Sequence, residues 1–162
     1  MNVPLWRIGT DTPTYTADDP DGMGAKISGG RWNRPGTPVL YTSTVIALAC
    51  LETLVHLKVG TLPMNRYLVR FDVPSSMWKK AQKLDPNDRA MVGWDAEPAG
   101  MVSMEIGQRW LAGKSSALLL VPSAVIPEEI NVLINPAHPD AGKISAQKLR
   151  KFVYDARLRA VV

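Results

Sequence analysis

The sequence predicts an α+β fold in a single domain. Its 162 residues suit one domain with room for a sizeable core. Thirteen prolines and twelve glycines interrupt the chain too often for a helical bundle and point to short elements joined by turns. Between those interruptions, strand-like alternation is interspersed with helical spacing. The expected architecture is therefore a compact domain over residues 1–162, with mixed short-stranded sheets and flanking helices.

Composition narrows the function classes. No apolar run approaches the ~20 residues that cross a bilayer, and the N-terminus lacks the basic segment and apolar block of a signal peptide. Cys50 is the one cysteine and reads as a buried structural thiol. These features together lead to a cytoplasmic expectation. A net charge of +4 is too small to require nucleic acid. HExxH and CxxC patterns are absent, so no metal site is expected. GxSxG is absent too, which argues against a serine hydrolase.

In chain order, VPLWRI (3–8) reads as a first strand, and Arg7 on it is either an edge charge or a ligand contact. Asp11 to Gly24, with four Asp, reads as a solvated loop in a position to act as a lid. Gly29-Gly30 permits a tight turn before Arg31 and Trp32, the latter assigned to the core. Pro38 to Thr42 reads as a strand feeding a helix that Ser43 or Thr44 caps. Gly60 to Pro63 reads as a turn and RYLVRFDV (66–73) as a strand. A short helix is expected over Trp78 to Leu84, then a loop from Asp85 to Pro98 with Trp94 packed beneath it. A helix from Met101 or Ser103 ends at Gly113. ALLLV (117–121) suits a strand buried on both faces, and Val132 to Ile134 forms another. Phe152 and Tyr154 suit an alternating strand in a basic tail. The tail holds six Lys or Arg between Lys143 and Arg159.

The stretch Gly29 to His56 concentrates the chemistry. Val45, Leu48, Ala49 and Val55 recur at helical spacing, and Glu52 falls on the same face. A desolvated carboxylate there costs several kcal/mol unless a donor or cation meets it. Two readings stand: a Glu at the edge of that face, reaching water or held in a structural ion pair with Arg31 or His56, or a functional carboxylate. His56, one turn later, projects beside Glu52 and is either a satisfied core histidine or a contact to Glu52 or ligand. Tyr41 is either a core aromatic or a stacking surface.

GGRWN, VLYTS, ALACLETLVH, SALLLVPSAV, NVLINPAH and FVYDARL occur in that order and cover nearly the whole chain. In this the sequence resembles the RES domain family, the toxins of bacterial toxin–antitoxin pairs. The resemblance implies an ADP-ribosyltransferase-like fold that consumes NAD+, and an Arg, Glu and Ser set mapping onto Arg31, Glu52 and either Ser116 or Ser123. Ser116 ranks first because it enters the buried strand. In this reading Glu52 supplies negative charge near the oxocarbenium-like centre, and Arg31 binds phosphate. Tyr41 holds nicotinamide, a Ser fixes ribose or amide, and Arg7, His56 and Ser123 border the ligand. Cleavage of NAD+ by hydrolysis or phosphorolysis is the first expectation, and transfer of ADP-ribose to a protein the alternative. The resemblance also implies a cognate Xre-type antitoxin; a homodimer is left open. A reading of another class is a non-catalytic basic binding module, in which Glu52 is a structural ion pair.

Overall fold

A computed structural model describes residues 1–57 and 61–159. Among these, seven strands form one mixed sheet ordered β4-β5-β6-β2-β1-β3-β7. The strands are β1 (Asn2–Thr10), β2 (Leu40–Ser43), β3 (Arg66–Pro74), β4 (Gln82–Lys83), β5 (Leu118–Pro122), β6 (Ile130–Ile134) and β7 (Ser145–Lys151). Every pairing is antiparallel except β4 with β5. The helices are α1 (Met23–Ser28), α2 (Ile46–Leu54), α3 (Ser75–Trp78) and α4 (Met101–Gly113). The α+β expectation holds, with one sheet where several were expected.

Successive side chains in a strand point to opposite faces, so the sheet carries a core on each side. On one face Leu5, Val69, Phe71, Leu118, Val132 and Ile134 pack together. On the other, Leu119, Val121 and Leu133 lie against Trp32, Trp94, Trp110 and Leu111. This is why ALLLV lacks alternation: β5 is covered on both sides. On that second face, Ala49 of α2 packs with Ile8, Leu68 and Tyr154.

The joint between β1 and β2 positions the site. β1 pairs with β3 along nine residues, whereas β1 and β2 share a single partner pair, Trp6 with Ser43. The sheet thus has two halves, β4-β5-β6-β2 and β1-β3-β7, meeting at one point.

Several element boundaries differ from expectation. Ser43 ends β2 instead of capping a helix; α2 has Val45 at its N-cap and no side-chain cap. Of the helix face read from spacing, Leu48 and Ala49 are buried, while Val45 and Val55 are exposed. Asp11 to Gly24 is tied down rather than free. Asp11 accepts from the Ala17 N–H, Asp19 accepts from the Met23 N–H, and Ala17 is buried. The segment also leads into α1, which the glycines on either side of it concealed. Trp78 closes α3 instead of opening a helix, because Gln82–Lys83 is drawn into pairing with β5. Gly113 stays helical, and Lys114 takes the left-handed turn at φ 51°. Phe152 and Tyr154 lie beyond β7 as an edge-to-face pair, centroids 5.1 Å apart, and not in a strand. The expected turn begins at Gly60, outside the described residues; Thr61 to Pro63 have no regular structure.

Candidate active site

Glu52 lies in the last turn of α2, half-buried. Its Oε1 accepts from Ser123 Oγ at 2.6 Å and from Asn131 Nδ2 at 2.5 Å. Both donors are fixed by their own neighbours. Ser123 Oγ accepts the N–H groups of Val125 and Ile126, each at 3.1 Å, so its single hydrogen is left for Glu52. Ser43 Oγ donates to Asn131 Oδ1 at 2.7 Å, which turns the Asn131 amide so that its NH2 faces the carboxylate. Ser43 and Asn131 are direct partners across β2 and β6, and Ser43 is also the residue paired with Trp6 at the joint. Glu52 thus sits where the two half-sheets meet.

No cation pairs with Glu52 among the described residues. The structural ion-pair reading is therefore corrected. Arg31 is engaged elsewhere: it donates to the carbonyls of Trp94 at 3.0 Å and Ala96 at 2.8 Å, and pairs with Glu97 at 3.1 Å. His56 lies past the end of α2, exposed, so it does not share the face of Glu52 as spacing suggested. One carboxylate oxygen is held by neutral donors, and Oε2 has no partner among the described residues. Such a group has a lone-pair face to offer a ligand.

The two serines separate clearly. Ser116 is buried, accepts from Trp110 Nε1 at 2.9 Å and donates to the Leu118 carbonyl at 2.8 Å. It precedes β5, whereas Ser123 follows it, and the strand sets them roughly 20 Å apart. Ser116 borders a different depression of about 280 Å³, with Lys80, His138 and Lys143. The preference for Ser116 over Ser123 is thus reversed: only Ser123 touches Glu52.

Tyr41 lies two residues before Ser43 on the same face of β2. Its hydroxyl accepts from the Trp32 N–H at 3.0 Å and donates to Asn33 Oδ1 at 2.7 Å. Burial pushes the phenol above the ordinary tyrosine value, against the lowering effect of the Trp32 N–H and Arg31. Asn33, fully buried, also donates to the carbonyls of Ala25, Arg34 and Thr37, and so holds the Gly29–Thr37 loop. That loop carries Arg31 against residues 94–97.

Arg7 adjoins Trp6 at the joint and makes no hydrogen bond or ion pair among the described residues. Its guanidinium is pushed below the ordinary arginine value by burial, opposed by Tyr15 and Asp19. Cys50 is half-buried and free, its thiol pushed up by burial, which suits the structural assignment. No group of three His, Cys, Asp or Glu able to hold a metal occurs among the described residues. No helix among them is long and apolar enough to cross a membrane.

Sequence reasoning passed over Asn131 and Ser43. Ser43 was given a capping role and Asn131 none of its own, although a polar residue at a strand position facing a charged helix residue was the available signal.

The RES domain profile matches residues 4–157. The chain belongs to the RES domain family. The "Prs ADP-ribosylating toxin" of Sphingobium sp. (strain YBL2) is 54% identical over 158 residues, covering 98% of each chain. The "Toxin Res" of Yersinia enterocolitica is 36% identical over 146 residues, 90% of this chain and 93% of the relative. The "Toxin Res" of Pseudomonas putida is 37% identical over 158 residues, 95% and 98%. All three relatives carry the word toxin in their names.

Proposed function

We propose that this RES domain is a toxin that uses NAD+, breaking the nicotinamide–ribose bond and passing ADP-ribose to a target protein. The observation that carries the proposal is the Glu52 carboxylate, held on Oε1 by Ser123 and Asn131, with Oε2 unpartnered among the described residues. In this reading nicotinamide leaves as a neutral group, and positive charge develops at the ribose carbon. Glu52 stabilises that charge or accepts a proton from the acceptor as the new bond to C1′ forms. Arg7, which makes no hydrogen bond or ion pair among the described residues, is suited to the pyrophosphate. Arg31 shapes the loop beside Tyr41, and the Tyr41 ring offers a surface for nicotinamide. Ser123 is the Ser of the family set. The name of the relative at 54% identity favours protein transfer over hydrolysis or phosphorolysis, which becomes the second reading. A cognate Xre-type antitoxin is proposed as the partner that blocks the site in the cell.

The test is nicotinamide release and ADP-ribosyl mass addition, with purified protein, NAD+ and the protein named Prs as acceptor. Wild type should modify the acceptor, and Glu52→Gln should lose about 10²-fold or more in rate while keeping its fold. Nicotinamide release independent of any acceptor would favour hydrolysis. Failure of both, with folded protein, would favour the basic binding module.

A further inference from the structure

We infer that Asn131 and Ser43 form a positioning relay that sets the orientation of the Glu52 carboxylate, an inference that rests on Glu52 acting on NAD+. The relay runs in one direction. Ser43 Oγ donates to Asn131 Oδ1 at 2.7 Å, and Asn131 Nδ2 donates to Glu52 Oε1 at 2.5 Å. Ser43 is buried and spans the strand pair to Asn131, so its hydroxyl defines which end of the amide faces Glu52. Ser123 completes the grip on the same oxygen. With both donors on Oε1, rotation of the carboxylate is suppressed and Oε2 is left for the substrate.

The geometry also explains why an amide occupies position 131. A carboxylic side chain there would put a second acceptor against Glu52. A hydroxyl on that strand would be too short to bridge Ser43 and Glu52 together. Asn supplies an acceptor at one end and a donor at the other. The register places it directly beside β2 at the joint of the two half-sheets, where a shift of either half would move Glu52.

Asn131→Ala, Asn131→Asp and Ser43→Ala should be compared with wild type for kcat, NAD+ affinity and pH profile. Asn131→Ala is expected to lower kcat about 10- to 100-fold with NAD+ affinity within about twofold, since the contact acts on the orientation of Glu52 and not on ligand. Ser43→Ala should lower it in the same direction by less. Asn131→Asp gives the distinctive signature. As pH falls, the pair of carboxyls takes up a shared proton, and the protonated Asp donates to Glu52 as the amide did. Its activity relative to wild type should therefore recover as pH falls. A flat ratio in a folded variant, or equal loss of kcat and affinity in Asn131→Ala, would overturn the relay. The geometry has a readout of its own in the side-chain amide resonances of Asn131. They should shift in Glu52→Ala and in Ser43→Ala. Shifts seen without any turnover of NAD+ would sink the proposed reaction and leave the relay standing; resonances unmoved by either substitution would sink the relay alone.

Discussion

At the scale of single residues, the two serines show why adjacency in sequence misled. Ser116 opens a buried strand, and such a position looks suited to a ligand. Its hydroxyl is instead consumed by Trp110 Nε1 and the Leu118 carbonyl. Ser123 follows the strand, and its oxygen is pinned by two N–H groups so that its proton must go to Glu52. Opposite outcomes follow for the same substitution. Ser116→Ala leaves the Trp110 indole N–H buried without its partner, at a cost of about 1–3 kcal/mol, with NAD+ turnover per folded molecule within twofold of wild type. Ser123→Ala should lower turnover about tenfold or more. Urea unfolding and nicotinamide release on both variants check the pair; a Ser116→Ala enzyme that is stable but inactive would restore the original ranking. Glu52 was legible because a charged residue on an apolar helix stands out. The commitments of Arg31 were not, because its partners lie 63 to 66 residues away.

At the scale of elements, strand positions were readable where burial is two-sided, as in β5, or alternates, as in β3. Ends were less readable, since Ser43 takes a role set by its pairing with β6 and β1 rather than by local propensity. The glycines of α4 make the point quantitatively. A Cβ on Gly107 would lie 1.8 Å from the Trp32 carbonyl oxygen, a backbone atom of the loop that carries Arg31. A Cβ on Gly113 would meet nothing within 4 Å. Gly107→Ala should therefore cost about 3 kcal/mol, lowering Tm by roughly 6–12 °C for a chain of this size. Gly113→Ala should stabilise by about 0.5–1 kcal/mol through helix propensity. Calorimetry of the two variants tests whether α4 is pressed against that loop: equal Tm values would say that it is not. Spacing read Gly113 as the stop of this helix and gave no sign of what Gly107 meets, because the Trp32 carbonyl comes from a loop distant in sequence.

At the scale of the whole molecule, the division of the sheet matters most. One residue pair, Trp6 with Ser43, connects β4-β5-β6-β2 to β1-β3-β7. Glu52, Ser123, Asn131 and Tyr41 belong to or face the first half, while Arg7 stands on the second. A ligand that bridges Arg7 and Glu52 therefore binds across a joint with little backbone pairing of its own. Local opening of such a joint costs less than opening a strand paired along its length, so its amides should exchange faster than those of the β1–β3 ladder. NAD+ at about 100 times its Kd adds about 2.7 kcal/mol to any opening that destroys the site. That slows exchange at the joint by about 100-fold where opening is at equilibrium. Hydrogen exchange on Glu52→Gln protein, which should bind NAD+ without consuming it, measures this directly. Protection is expected at residues 5–8, 41–44 and 130–132. Protection confined to β7, or spread evenly over the sheet, would place the ligand away from the joint and would count against Arg7 and Glu52 acting on the same molecule.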